Sequence, residues 1–328
     1  DDGALPPLSL RAAHLPRIDS FRRLFEADPP DAVMSWRPDP PALMGAALAG
    51  VPFLVHRHGS VAPGRRLGMR AGQRAKADFA ADAFAWLAGR TPAWFVANSA
   101  AALADLVAEA NWPPARSLVL PNALDPARFG TPPSRAEARA RLGLPAEAAI
   151  VGGCFRLVPG KRPFLWLDTA ELCIRAAPRP PLFLLAGGGP LGDRLAAEAE
   201  RRGLTPHVRF LGQVGAAMAD LHAAFDAILH TSAFEGVPNA LVEAQWAGVP
   251  AIAVDAGGSG EAFLPGVTGM LVADDTAGSL AAATLAVLDR REDFASRRAE
   301  FEAFVRSRFS LEACLHRLAP LLGLPVPA

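Results

Sequence analysis

Two carboxylates, Glu235 and Glu243, stand eight positions apart in the segment HTSAFEGVPNALVEAQWAGVP, residues 230–250. The segment reads as a strand that turns at Gly236 and enters a helix with Pro238 near its first position, where a missing N–H is no loss. Gly248 with Pro250 just beyond marks the helix stop. Glu235 then lies in the turn before the helix and Glu243 about one and a half turns inside it. A helix start leaves N–H groups open, here around Val237, Asn239 and Ala240, and these form a ready anion site that Gly236 lets a ligand approach. Taken without context, an ordinary strand–helix turn with a solvated glutamate explains the segment equally well.

Cations are predicted at the same sheet edge. CFRLVPGKRP, residues 154–163, sets Arg156 and Lys161 just past a strand, where a planar fork and a point charge together suit a diphosphate. Surface cations after a strand are common, but lysine is rare here: Lys76 and Lys161 are the only two beside 31 arginines. LLAGGGPLGDRL, residues 184–195, contains G-x-G-x-x-G at Gly187, Gly189 and Gly192. A dinucleotide site also requires an acid after the next strand to hold a ribose. That strand, VRFLGQV, ends with Gln213 instead, which argues against NAD. The glycines then either admit another ligand or pack tightly. In VHRHGS, residues 55–60, His58 precedes Gly59 at a strand's carboxyl end, a place equally suited to a structural histidine and to a ligand contact. Arg57, Arg65, Arg66, Arg70, Arg74 and Lys76 follow with few acids among them. They read either as a solvated loop or as a contact for an anionic lipid headgroup or diphosphate-linked acceptor.

The elements that position these groups follow from length and patterning. At roughly 100–200 residues per domain, 328 residues suggest two domains. The composition, 51% hydrophobic and 20% charged, is that of a folded chain. The 33 basic and 33 acidic residues cancel, which leaves no electrostatic case for nucleic acid. The three cysteines, Cys154, Cys173 and Cys314, are far apart, which predicts a reducing, cytoplasmic setting. No signal peptide is expected from DDGALPPLSL. The longest apolar stretch, residues 41–55, falls short of the ~18 residues of a spanning helix.

Short apolar runs alternate with helical patterns, the signature of βαβ units. Strands are predicted at 32–35, 52–56, 94–97 and 117–120, with helices at 41–49, 73–88 and 100–110. PNALDPARFGTPP, residues 121–133, reads as a linker. Ser134 and Glu137 then form a capping box, and strands follow at 149–155, 182–186, 208–211, 227–230, 251–254 and 270–272. Residues 297–322 read as one helical run. The expectation is an α/β chain of two doubly wound Rossmann-like domains facing an interdomain cleft: residues 1–128, residues 129–300, and a final helical segment, 301–328, returning to the first domain.

Glu235 and Glu243 match the E-x7-E element of retaining GT-B glycosyltransferases, and FEGVPNALVEAQWAGVPAIAVDAGGSGE resembles family 4 of that class. FRLVPGKRP, FLLAGGGP, VRFLGQV, GVTGMLV and VLPNALDPARF extend the resemblance in order over residues 52–272. The family's opening strand and glycine-rich loop are not recognisable before DAVMSW, so the first domain is expected to lack its opening elements. The linker has Ala123 where glycine often follows the asparagine.

The resemblance implies a nucleotide-sugar donor, a UDP-sugar in preference to a GDP-sugar, and a hexosyl transfer with retention to a glycan or lipid-linked acceptor. It implies catalytic roles for Glu235, His58, Arg156 and Lys161, and donor contacts from Glu243, Gly236, Val237, Pro238, Asn239, Gly188 and Val214. Arg65, Arg66, Arg70 and Arg74 would face the acceptor or the inner face of the membrane. It implies no metal and no cofactor. A helix N-terminus and cations can stabilise the leaving diphosphate, and the leaving phosphate helps deprotonate the acceptor. The alternative is a non-catalytic member that binds a nucleotide sugar. A pyridoxal-dependent phosphorylase is disfavoured because the chain has no lysine beyond Lys161.

Overall fold

The computed structural model describes residues 14–35, 39–51, 54–58, 71–90, 93–110, 114–125 and 130–325. The chain divides into two compact units. One is Asp1–Pro121 together with Leu315–Ala328, and the other is Asn122–Cys314.

In the first unit, helix α1 (Leu15–Ala27) precedes β1 (Val33–Ser35), α2 (Pro40–Leu48), β2 (Leu54–His58), α3 (Ala71–Arg90), β3 (Trp94–Ala97), α4 (Ala100–Ala110) and β4 (Ser117–Val119). The strands form a parallel sheet in the order β1-β2-β3-β4. The sequence reading did not include α1. Its inward face buries Ile18, joining Leu43, Met44, Phe79, Phe84 and Phe95 in one apolar core. Asp39 accepts the Ala42 N–H, which caps α2 and sets Pro40 and Pro41 at its start.

The second unit opens with α5 (Arg135–Leu142), and its capping box is formed by Ser134 and Glu137 as expected. Then come β5 (Ile150–Cys154), α6 (Pro163–Ala176), β6 (Leu182–Ala186), α7 (Gly192–Arg201), β7 (Val208–Gly212), α8 (Met218–Ala224), β8 (Ala227–His230) and α9 (Asn239–Trp246). After β9 (Ala251–Val254) and β10 (Gly269–Val272) the chain is helical: α10 (Ala277–Asp289), α11 (Arg291–Ser296), α12 (Arg298–Phe309) and α13 (Leu311–Leu318), the last running past this unit's end at Cys314. All strand pairs are parallel and the order is β10-β9-β8-β5-β6-β7. Successive residues of the fully buried β5 alternate between layers. Ile150 packs with Ile228, Leu184 and Leu241 on one face, and Val151 packs with Phe183, Leu229 and Trp166 on the other. The strand order reverses between β5 and β8, so this switch point is where a crevice opens outside the carboxyl ends.

The opposite ends of these two strands are locked. Asp226, fully buried, accepts from Arg135 at 2.6 Å, from Arg139 at 2.7 Å and from the Ile150 N–H at 2.7 Å. One detail corrects the sequence reading. The helical run over 297–322 is broken at Ser310, whose backbone is extended and whose Oγ accepts the Ala313 N–H at 3.0 Å. The Phe309 carbonyl turns aside to accept Leu124 N–H at 2.7 Å. Pro238 is the cap of α9 and Asn239 its first helical residue. Among the described residues no helix is long and apolar enough to cross a membrane.

Candidate active site

Three loops meet at the switch point. After β5, Pro159–Lys161 form a single 3-10 turn and Arg162 follows in a left-handed conformation, φ 49°. Arg162 is the one non-glycine residue with positive φ among the described residues. Its guanidinium donates to the carbonyls of Thr231 at 2.7 Å and Ser232 at 3.2 Å, and pairs with Asp275. Thr231 Oγ1 donates back to the Lys161 carbonyl at 3.0 Å, and Ala233 N–H to that of Gly160 at 2.9 Å. The loops after β5 and β8 are therefore stitched together, once backbone to backbone and otherwise by the Arg162 and Thr231 side chains on the facing carbonyls. The third loop follows β9. Gly257 runs beside Glu235 with φ 63°, and the Gly258 N–H donates to the Glu235 carbonyl at 3.0 Å.

This frame brings Lys161 and Glu235, 74 positions apart, into an ion pair. His230, 2% exposed at the end of β8, puts Nε2 2.8 Å from Glu235 Oε1 and 3.0 Å from Ser232 Oγ, with the Phe155 ring edge-on to its own. Because a carboxylate only accepts, Nε2 carries the proton and donates to Glu235. Burial pushes the Glu235 carboxyl up; His230 and Lys161 overcome that and pull it down to about 2. The result is a buried anion fixed by one cation and one imidazole. Arg156 is exposed just after β5, and no described side chain pairs with it.

Glu243 lies on α9, beyond the first turn. The Pro238 carbonyl takes up the N–H groups of Leu241 and Val242, which leaves those of Asn239 and Ala240 at the helix start. Glu243 lines a cavity of about 250 Å³ together with Asn122, Asp125, Asn239 and Val242. Asn122 Nδ2 donates to Asn239 Oδ1 at 2.7 Å across it. Burial raises the Cys154 thiol, with a further push from the Glu243 charge. On the other side His222 Nδ1 is 3.8 Å from Glu243 Oε2.

The glycine loop after β6 packs tightly. Gly187 and Gly189 have φ of 135° and 157°, and a Cβ on either would fall 1.9 Å from the Phe155 carbonyl oxygen or 2.5 Å from that of Leu157. Gly188 accepts the Leu157 N–H at 3.0 Å and faces the Gln213 side chain. Val214 is half-buried against the core. Gly236, Val237 and Pro238 form the turn into α9, with Val237 buried. His58 closes β2 in register with Ala97, and its side chain lies outside the described ones. Arg65, Arg66 and Arg70 also lie outside the described residues, and Arg74 is described only as part of α3.

Of the residues the sequence pointed to, the structure brings Lys161 to Glu235 and sets Glu243 on the cavity, and it adds neighbours that the sequence reading did not single out: His230, Ser232, Arg162, His222 and Asn122. His230 opens the segment that was singled out, and Arg162 follows Lys161 directly, so adjacency was the available signal for both.

The pattern of the family described as Glycosyl transferases group 1 matches residues 134–303, and that of Glycosyltransferase Family 4 matches residues 3–128. The Vi polysaccharide biosynthesis protein VipC/TviE of Salmonella typhi is 37% identical over 127 residues, 38% of this chain and 21% of that protein. A D-inositol 3-phosphate glycosyltransferase of Actinosynnema mirum is 37% identical over 169 residues, 49% of this chain and 40% of that protein. The chain therefore spans less than half the length of either. Among solved structures, Anabaena Alr3699/HepE in complex with UDP superposes with a TM-score of 0.77 at 24% identity, covering 94% of this chain and 82% of that one. That likeness is one of fold, and the fold is GT-B, built from Rossmann-like α/β units.

Proposed function

The chain belongs to the Glycosyl transferases group 1 family, and from that premise we propose that it transfers a hexosyl group, with retention, from a nucleotide sugar to a glycan or lipid-linked acceptor in polysaccharide or glycoconjugate synthesis. The observation that carries this reading is the meeting of Lys161 with Glu235 at the switch point, beside Arg156, with which no described side chain pairs. A diphosphate bound there draws Lys161 and Arg156 to its oxygens, and the open N–H groups of Asn239 and Ala240 add a further anion contact. Glu235, held ionised by His230, is left to accept hydrogen bonds from the sugar. These groups meet the charge that develops on the leaving diphosphate, so the reaction proceeds without a bound metal. Glu243, facing the cavity with Asn122 and Asn239, accepts from ribose hydroxyls. UDP is favoured over GDP as the donor nucleotide, in line with the UDP bound by Alr3699/HepE.

The test is a thermal-shift panel of UDP, GDP, ADP, CMP and common nucleotide sugars, with and without EDTA. A ligand at a hundredfold excess over Kd stabilises the native state by about 2.7 kcal/mol. A shift with one base that survives EDTA, followed by sugar transfer with retained anomeric configuration, supports the proposal. No shift with any nucleotide overturns it, and binding without transfer to any acceptor favours a nucleotide-sugar-binding member without catalysis.

A further inference from the structure

His222 is the side chain that the site described so far leaves unexplained. It sits on α8, which packs against α9, and is 1% exposed. Among the described residues neither ring nitrogen has a hydrogen-bond partner. The Phe225 ring lies edge-on, 6.1 Å away at 76°, and offers no acceptor in its plane. A buried imidazole with both nitrogens orphaned is destabilising on its own and calls for a compensating role. The nearest ionised group is Glu243, whose Oε2 is 3.8 Å from Nδ1. N–H···O bonds form at about 2.7–3.2 Å, so the pair rests just outside bonding range. Glu243 lines the cavity that holds the Asn122–Asn239 hydrogen bond, and His222 does not. The carboxylate thus has a ligand-sized space on one side and a buried, unused donor on the other.

We propose that His222 is a positioning residue for Glu243: when a nucleotide occupies the cavity, Nδ1–H donates to Oε2 and holds the carboxylate for bidentate recognition of the ribose diol. This rests on the reading that Glu243 binds the ribose. In neutral imidazole one nitrogen donates and the other accepts, so one orphan nitrogen is satisfied on binding and the hydrogen bond forms only in the occupied state.

The experiment measures Kd by calorimetry for UDP and GDP and for their 2′-deoxy and 3′-deoxy counterparts, in the wild type, in His222→Phe and in His222→Gln. The wild type should prefer the ribonucleotide by about tenfold or more, the equivalent of one charge-assisted hydrogen bond. His222→Phe should lose most of that preference with deoxynucleotide affinity unchanged, and His222→Gln should retain it. A packing role alone would weaken all ligands equally, and that outcome, or full preference in His222→Phe, overturns the proposal. Should the phenylalanine variant not fold, the wild type still decides. Added UDP must shift the His222 Nδ1 resonance in a 15N spectrum, and an unmoved resonance at saturation sinks the assignment. A wild type that binds no nucleotide, or binds without ribose preference, instead removes the reading of Glu243 and this inference with it.

Discussion

His230 Nε2 lies 2.8 Å from Glu235 Oε1, the same oxygen that the Lys161 ammonium meets. One carboxylate oxygen therefore serves a residue of its own strand end and a residue from the neighbouring strand's loop. The two contacts are not equivalent. His230 is buried and fixed by Ser232, whereas Lys161 is 22% exposed on a long stem and is free to exchange partners.

Lys161→Ala should therefore act on the leaving group and spare Glu235, which His230 still anchors. Removing a preorganised group that meets developing charge costs about 100-fold or more in rate. The expected outcome is a loss of that order in kcat/KM for transfer, with the far-ultraviolet spectrum unchanged. A loss under about threefold would count against the diphosphate role.

Two buried groups give stability a defined pH dependence. The folded Glu235 carboxyl is held at about 2 against an ordinary 4.5, with His230 and Lys161 overcoming the opposing effect of burial. Its contribution is complete above the unfolded value and is lost as pH falls from about 4.5 through 2. The His222 imidazole is pushed down to about 4 from 6.5 by burial. The unfolded chain takes up that proton first, so stability is lost as pH falls from 6.5 to 4. Each group contributes a slope of at most about 1.4 kcal/mol per pH unit in its window. Denaturant unfolding from pH 7.5 to 3 should show His222→Gln flatter than wild type above pH 4 and Glu235→Gln flatter below 4.5. Parallel curves for all three would refute both assignments.

Gly257 and Gly266 separate backbone strain from site geometry. Both have positive φ, 63° and 79°, so alanine strains the backbone at either, and at Gly257, whose ψ of −116° lies outside the left-handed helical well, by more than the about 1–2 kcal/mol of that well. At Gly266 the new Cβ meets nothing, whereas at Gly257 it falls 2.6 Å from the Glu235 carbonyl oxygen. Gly257→Ala must displace Glu235 and break the Gly258 N–H bond to it, and should lower transfer and donor affinity. Gly266→Ala should melt earlier and retain both. Equal activity in the two variants would show that Glu235 has no positional requirement.

How much of this was legible in the sequence depended on distance along the chain. The parallel strands, the α5 capping box, the α9 helix start and the two glutamates are local patterns of period, cap and turn, and they were read directly. Lys161 was found because it is one of two lysines. Its contact with Glu235 could not be, because 74 residues separate them and the strand order that joins β5 to β8 is a property of the sheet. His222 reads as one more residue on a short helix, and only α8 packing on α9 reveals its relation to Glu243. Helix α1 was missed because its inward face needs α2 to bury it. The break at Ser310 was missed because its cause, the Leu124 N–H that takes the Phe309 carbonyl, comes from a segment 185 positions earlier in the chain.

Asp226 marks the end of the sheet where stability rather than chemistry is concentrated. It accepts from Arg135, Arg139 and the Ile150 N–H, and Arg139 is itself 3% exposed, with its remaining donors on the carbonyls of Ala224 at 3.0 Å, Ala146 at 2.5 Å and Ala148 at 3.0 Å. Asp226→Asn keeps the shape but leaves the Arg139 charge uncompensated in the interior, a loss of about 3–5 kcal/mol. Glu292, 70% exposed, also pairs with Arg135, and Glu292→Ala should change stability by less than about 1 kcal/mol. Urea unfolding of the two variants decides the contrast. Because the Asp226 cluster ties the amino ends of β5 and β8 while the candidate site occupies their carboxyl ends, folded Asp226→Asn protein should bind nucleotide as the wild type does. A weakened nucleotide Kd at temperatures where the variant is folded would show instead that the geometry of the site depends on how the two strands are anchored at their other end.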